Sequence, residues 1–176
     1  MTLSAETKAL IRAEYEEFKE LMYAGKSLKE RQELDQFFTP PEISIRLIEG
    51  LSDLEGNILD PTCGSGNLLA AALIAGADPD KVYGNDYDST MVEECRKRLQ
   101  KINPKVQDWQ IHQGNALIPD CLTEFGETYD KVILKELLKQ REERKGRKFR
   151  WLDRPELYVR PEPKSNKPKK SISDIF

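Results

Sequence analysis

The sequence predicts an α/β fold with an incomplete, mainly parallel sheet and helices ahead of it. Three observations carry this expectation. Short apolar runs at 57–60, 81–85, 108–112 and 129–134 alternate with stretches of helical period, the pattern of parallel strands joined by crossover helices. The first of these runs enters a glycine-rich turn that opens a helix. A carboxylate, Asp86, closes the second, 20 residues past Gly66, the place where a doubly wound sheet offers an acid to a ribose diol.

The elements follow in order. Residues 4–24 read as a helix in which Leu10, Ile11, Phe18, Leu21 and Met22 recur at helical spacing, with Gly25 as its C′ residue. A short, charged helix covers about 27–35. The stretch Gln36-Phe37-Phe38-Thr39-Pro40-Pro41 interrupts the pattern, and Pro41 suits the first position of a helix at 42–51 whose apolar face is Ile43, Leu47, Ile48 and Leu51. Strand 57–60 leads through the turn into a small-residue helix at 67–75, ended by Gly76. Strand 81–85 is followed by a helix at 89–99 capped by Asp88 or Ser89. The third and fourth strands are 108–112 and 129–134. Residues 135–148 suit a charged helix, 149–158 hold the apolar anchors Phe149, Trp151, Leu152, Leu157 and Tyr158, and 161–170 have the composition of a flexible tail.

Composition narrows the function classes. A length of 176 residues fits one domain, and no stretch approaches the 18 apolar residues of a membrane span. The N-terminus has neither the basic nor the apolar region of a signal peptide. Three cysteines, Cys63, Cys95 and Cys121, with no C-x-x-C spacing, and one histidine, His112, argue against a disulfide framework and a structural zinc site. A reducing cytoplasm is the expected compartment, the host's if the chain is phage-encoded. The net charge of −3 conceals an asymmetry: residues 1–138 hold 15 Lys/Arg against 25 Asp/Glu, whereas 139–170 hold 13 against 5. The basic region can neutralise phosphates, so DNA is its expected partner, although such runs are as often only solvated.

The most informative stretch is Asp60-Pro61-Thr62-Cys63-Gly64-Ser65-Gly66-Asn67. Gly64 and Gly66 permit close backbone approach, which sets N–H groups and a helix N-terminus against a polar ligand. The loop is not a Walker A motif, because no Gly-Lys-Ser/Thr follows, and not G-x-G-x-x-G, because Leu69 holds the third glycine position. Cys63 suits a small buried filler better than a nucleophile, since no base constellation accompanies it.

Four stretches together resemble the S-adenosylmethionine domain of N6-adenine DNA methyltransferases, in particular the modification subunit of type I restriction systems and its phage relatives. Gln36-Phe37-Phe38-Thr39-Pro40 resembles the motif ahead of the first strand. Asp60 to Gly66 is similar to the cofactor loop D-P-x-C-G-S-G. Gly84-Asn85-Asp86-Tyr87-Asp88 matches the acidic strand end, and Gly114-Asn115-Ala116-Leu117 resembles the segment beside the cofactor adenine. The resemblance covers about residues 30–135, in the γ order of motifs. It implies a Rossmann-like, S-adenosylmethionine-dependent methyltransferase core and no metal. It also implies that Phe38, Thr39 and Pro40 shape the methionine end, while Asp60, Thr62, Gly64 and Gly66 meet the amino and carboxylate groups. Asp86 would hold the ribose hydroxyls, Tyr87 would border the adenine, and Asn115 would contact it. Plainer roles stay open: Phe37 and Phe38 as core aromatics, Asn115 as a turn residue, Asp88 as a helix cap, His112 as a structural strand-end residue.

The family's catalytic tetrapeptide, Asn/Asp-Pro-Pro-Tyr/Phe, follows its fourth strand. Here Ile133-Leu134 runs into Lys135-Glu136-Leu137-Leu138, and the only Pro-Pro in the chain is Pro40-Pro41. No catalytic residue is therefore assigned. The chain is expected to be short for a complete enzyme of this pattern. The expected organisation is an N-terminal helical segment at 1–35, a methyltransferase-like domain at 36–138 and a basic extension at 139–176. Two functions follow. One is a DNA adenine-N6 methyltransferase completed by a partner chain, as a homo- or hetero-oligomer. The other is an inactive descendant that binds cofactor or DNA.

Overall fold

The computed structural model describes residues 1–35, 38–116 and 129–133. The expectations for Phe37, Leu117, Cys121, Leu134, the charged helix at 135–148, the anchors of 149–158 and the basic region 139–170 lie outside the described residues.

Helix α1 (Ala5–Tyr23) starts where Ser4 accepts the Thr7 N–H through its hydroxyl at 3.0 Å. Its buried line is Ile11, Tyr15 and Phe18. Leu10 and Leu21, expected on that face, are 55% and 63% exposed. At about 100° per residue they point some 80–100° away from the Ile11–Phe18 line, and Tyr15 takes the place that hydrophobicity alone had offered to them. Gly25 adopts φ +73° just past the helix, as its C′ position requires. α2 (Leu28–Asp35) is mostly charged and polar, with Leu28 and Leu34 as its apolar residues. α3 (Pro41–Gly50) has Pro40 at its N-cap and Pro41 at the first helical position, where no N–H is needed. It buries Leu47 and Ile48 completely, each contributing about 1.5–3 kcal/mol of transfer free energy.

The sheet is parallel throughout, in the order β3-β2-β1-β4. β1 (Ile58–Asp60) is paired on both sides, with β2 (Val82–Asp86) and with β4 (Lys131–Val132). β3 (Ile111–Gln113) pairs with β2. Between strands run α4 (Asn67–Ile74) and α5 (Ser89–Ile102). The strand alternation of period two sorts the side chains: Ile58, Val82, Ile111 and Ile133 enter the main core with α1, α3, α4 and α5, while Leu59, Tyr83, Tyr129 and Val132 form a second cluster on the opposite face. Gly84 sits mid-strand because a Cβ there would come within 2.9 Å of Leu69 Cδ1 and 3.0 Å of Cys63 Sγ. α4 is thereby seated directly on the sheet. No helix among the described residues is long and apolar enough to cross a membrane.

Three boundaries differ notably from the sequence reading, the first being the fourth strand, expected from Tyr129 but observed only at Lys131–Val132. Residues Asp108–Gln110, expected to begin the third strand, form a 3-10 turn. The Gln110 N–H bonds back to the Gln107 carbonyl, and its buried side-chain amide donates to the carbonyls of Pro79 and Val82 at 2.8 Å each. With its backbone N–H used in the turn, Gln110 has no donor left for a ladder with β2, and its side chain instead anchors the turn on the entrance of that strand. α5 continues to Ile102 rather than stopping near Leu99, since Asn103 still donates to the Leu99 carbonyl. Asp88, not Ser89, caps it, accepting the N–H groups of Thr90 and Met91.

Candidate functional site

The carboxyl ends of β1, β2 and β3 lie side by side, with Asp60 opposite Gly84 and Asp86 opposite Gln113. The strand order reverses at β1, where β2 and β3 lie on one side and β4 on the other. Open α/β sheets bind their ligands in the crevice outside the carboxyl ends at such a reversal.

The turn leaving β1 is held by local bonds. Asp60 is buried, and its Oδ1 accepts the Thr62 N–H at 3.1 Å, bending the chain as it leaves the strand. The Cys63 N–H donates to the Asn85 carbonyl at 2.8 Å, and the Gly66 N–H closes the turn on the Cys63 carbonyl at 2.9 Å. Gly66, at φ +82°, is the N-cap of α4. A Cβ there would be strained by the left-handed backbone and would meet Cys95 Sγ at 2.7 Å. Two hydroxyls of the turn, Thr62 Oγ1 and Ser65 Oγ, are buried with no hydrogen-bond partner among the described residues. Such groups cost about 1–3 kcal/mol each when unsatisfied, a cost that a polar ligand in the crevice would offset.

Asp86 faces this turn. Its Oδ2 accepts the Gly64 N–H at 2.7 Å and its Oδ1 the Asp88 N–H at 3.0 Å. A carboxylate has about four acceptor positions, so two remain for a ligand. The Cys95 thiol first, then burial and the Asp60 and Asp86 carboxylates, push the Cys63 thiol well above its ordinary pKa. It therefore stays protonated and packs in the core against Gly84.

Asp60, Thr62, Gly64 and Gly66 thus lie on one turn, and Asp86 at the end of β2 is tied to it through the Gly64 N–H. Asn115 is half-buried and follows Gly114, whose N–H donates to the Asp86 carbonyl at 3.0 Å. Tyr87 is 77% exposed, one residue beyond Asp86. Phe38 and Thr39 are buried, whereas Pro40 is exposed at the start of α3. The Phe38 ring packs edge-on against Phe18 at 5.8 Å, in a cluster with Tyr15. This segment reaches the turn indirectly, through Phe18 and Arg98.

Two organising residues escaped the sequence reading. Asn85 is fully buried, and its Nδ2 donates to the carbonyls of Pro61 and Gly114 at 3.0 Å each, tying the loops after β1 and β3 to the end of β2. An amide inside an apolar strand was the available signal. Arg98 of α5 donates to the Ser65 carbonyl at 3.2 Å and to Asn67 Oδ1 at 2.8 Å. Nothing in its charged surroundings on α5 marked it. Among the described residues, no group of three or more His, Cys, Asp or Glu side chains is placed to hold a metal ion.

The family model for N-6 DNA methylase matches residues 14–167. The Type II methyltransferase M.VspI of Vibrio sp. is 37% identical over 68 residues, which are 38% of this chain and 17% of that protein. The tRNA (guanine(10)-N2)-dimethyltransferase of Methanothermobacter thermautotrophicus is 34% identical over 85 residues, 46% of this chain and 24% of that protein. The chain thus spans less than a quarter of the length of either relative. Among solved structures, the type I restriction-modification system methyltransferase subunit from Streptococcus thermophilus superposes with a TM-score of 0.43 at 22% identity, over 55% of this chain and 22% of that one.

Proposed function

The chain belongs to the N-6 DNA methylase family, and from that premise we propose that it is an S-adenosylmethionine-dependent methyltransferase for adenine N6 in DNA, completed by a partner chain. The observation that carries the reading is Asp86, whose carboxylate is fixed on the Gly64 N–H at the end of β2 with acceptor positions to spare for a ribose diol. S-adenosylmethionine, when bound, supplies an electrophilic methyl group. Asp60 and the turn through Thr62, Gly64 and Gly66 would meet its amino and carboxylate groups, and the two unpartnered hydroxyls suit that polar end. Asn115 and Tyr87 would flank the adenine, and Phe38, Thr39 and Pro40 the methionine end. We place the methyltransferase-like domain at 36–138, between the helical segment 1–35 and the basic extension 139–176.

DNA is favoured as substrate by the description of the family. The basic region 139–170 would neutralise backbone phosphates. A partner chain is inferred because no Asn/Asp-Pro-Pro-Tyr/Phe occurs in the sequence. A flipped base needs a polar acceptor and a stacking ring aligned with the methyl. The same omission favours a second reading, an inactive binding protein derived from such an enzyme.

The test is direct. Binding of S-adenosylmethionine is measured by calorimetry. Methyl transfer to unmethylated DNA is followed with labelled cofactor, for the chain alone and with the product of an adjacent reading frame that carries the tetrapeptide. N6-methyladenine in the product supports the enzyme. Tight cofactor binding without transfer in either arrangement supports the binding protein, transfer to tRNA instead overturns the DNA assignment, and no cofactor binding overturns both readings.

A further inference from the structure

Arg98 lies on α5, yet its interactions all lead elsewhere. Its side chain is 3% exposed. Nε and Nη2 form a two-pronged pair with Glu14 of α1, at 2.7 Å to Oε1 and 2.6 Å to Oε2. Nη1 reaches the Ser65 carbonyl, in the middle of the glycine turn, and the Asn67 side chain at the first position of α4. The guanidinium carbon Cζ lies over the Phe18 ring, 4.0 Å from its centroid. Phe18 in turn touches Phe38. One cation therefore joins the N-terminal helix, the segment ahead of the sheet, the ligand turn and the start of α4.

We propose that Arg98, oriented by Glu14, is a positioning residue for the ligand turn: it sets the Ser65–Gly66 peptide plane, and through it α1 governs cofactor affinity. The geometry is specific to arginine. Only a planar guanidinium can give two parallel bonds to a carboxylate while a third nitrogen points to a carbonyl. Its face must also be flat to lie on Phe18. Fixing the Ser65 carbonyl leaves the following peptide one orientation, so the turn meets its ligand already ordered. Glu14 and Phe18 stand four residues apart on one face of α1, so that a single helix supplies both the counter-charge and the stacking surface. The inference rests on the cofactor reading of the turn, and its test separates the two.

The test uses the full chain and four variants: Arg98→Lys, Glu14→Gln, the double variant of these two, and Asp86→Asn, whose weakened binding without faster exchange at Gly66 marks loss of a ligand contact alone. Each is first shown by circular dichroism and urea titration to be folded at the assay temperature. Calorimetry with S-adenosylmethionine is paired with amide exchange at Gly64 and Gly66 in the ligand-free protein. The expected result is that Arg98→Lys and Glu14→Gln each weaken binding by about tenfold and speed exchange at Gly66. The double variant should lose little more than either alone, since the two residues act as one unit. Wild-type affinity within twofold in both folded variants, or loss of global stability without a change at Gly66, overturns the inference and leaves a purely structural ion pair. Failure of the wild-type chain to bind S-adenosylmethionine overturns the cofactor reading, and with it the ligand half of the inference. Amide exchange then still decides whether Arg98 orders the turn.

Discussion

At the residue scale, Lys131 shows how a single side chain acquires its role from distant chain. It is almost fully buried in β4, and its ammonium meets Asp53 Oδ1 at 2.8 Å and the Glu55 carbonyl. That bond, with those from Ser52 and the Glu55 N–H, holds the Asp53 carboxyl down to about 2 from 3.8. A carboxylate whose pKa is lower in the folded state stabilises the fold fully above its unfolded value. This contribution disappears as pH falls from about 3.8 through about 2. Carboxyl-carbon NMR titration should find Asp53 still ionised near pH 3, and Lys131→Met should return its midpoint toward 3.8. That variant should also cost about 1–3 kcal/mol in urea unfolding, because the Glu55 carbonyl loses its charged donor. Asp86 is the corresponding residue of the site. Asp86→Asn retains an acceptor for the Gly64 N–H but removes the charge, and S-adenosylmethionine binding by calorimetry should weaken about ten- to hundredfold, the worth of a charged hydrogen bond.

At the element scale, the turn between β1 and α4 is tightly constrained backbone. Gly66→Ala places a Cβ against Cys95 Sγ in a left-handed conformation, which should cost about 2–4 kcal/mol from conformation and overpacking together. The double variant Gly66→Ala, Cys95→Ala should recover the packing share and leave the backbone share, measured as the difference in urea midpoints. The elements themselves were largely legible in the sequence. Alternating strands and helices, Pro41 at a helix start, Gly25 and Gly76 past helix ends and the acid closing β2 all obey rules that act within a few residues. Where the reading slipped, a longer-range partner was the cause. Leu10 and Leu21 yielded the inner face of α1 to Tyr15, which packs with Phe18 and Phe38, and Gln110 left β3 to satisfy carbonyls at the entrance of β2.

At the scale of the whole molecule, α1, α3, α4 and α5 share one core with one face of the sheet, and β1 and β2 are each paired on both sides. The slowest amides in native-state hydrogen exchange should therefore be those of Leu59 and Tyr83, and those of β3 should open at lower free energy. Equal protection across the three strands would contradict this hierarchy. By itself the sequence determined the order of elements, the glycine turn and the acids at either side of it, because each is written in neighbouring residues. The strand order β3-β2-β1-β4 and the roles of Asn85, Arg98 and Lys131 were decided only by the tertiary structure. Each of those side chains answers to carbonyls or carboxylates 24 to 84 residues away, and their burial becomes affordable only once the folded chain has brought those partners within hydrogen-bond reach.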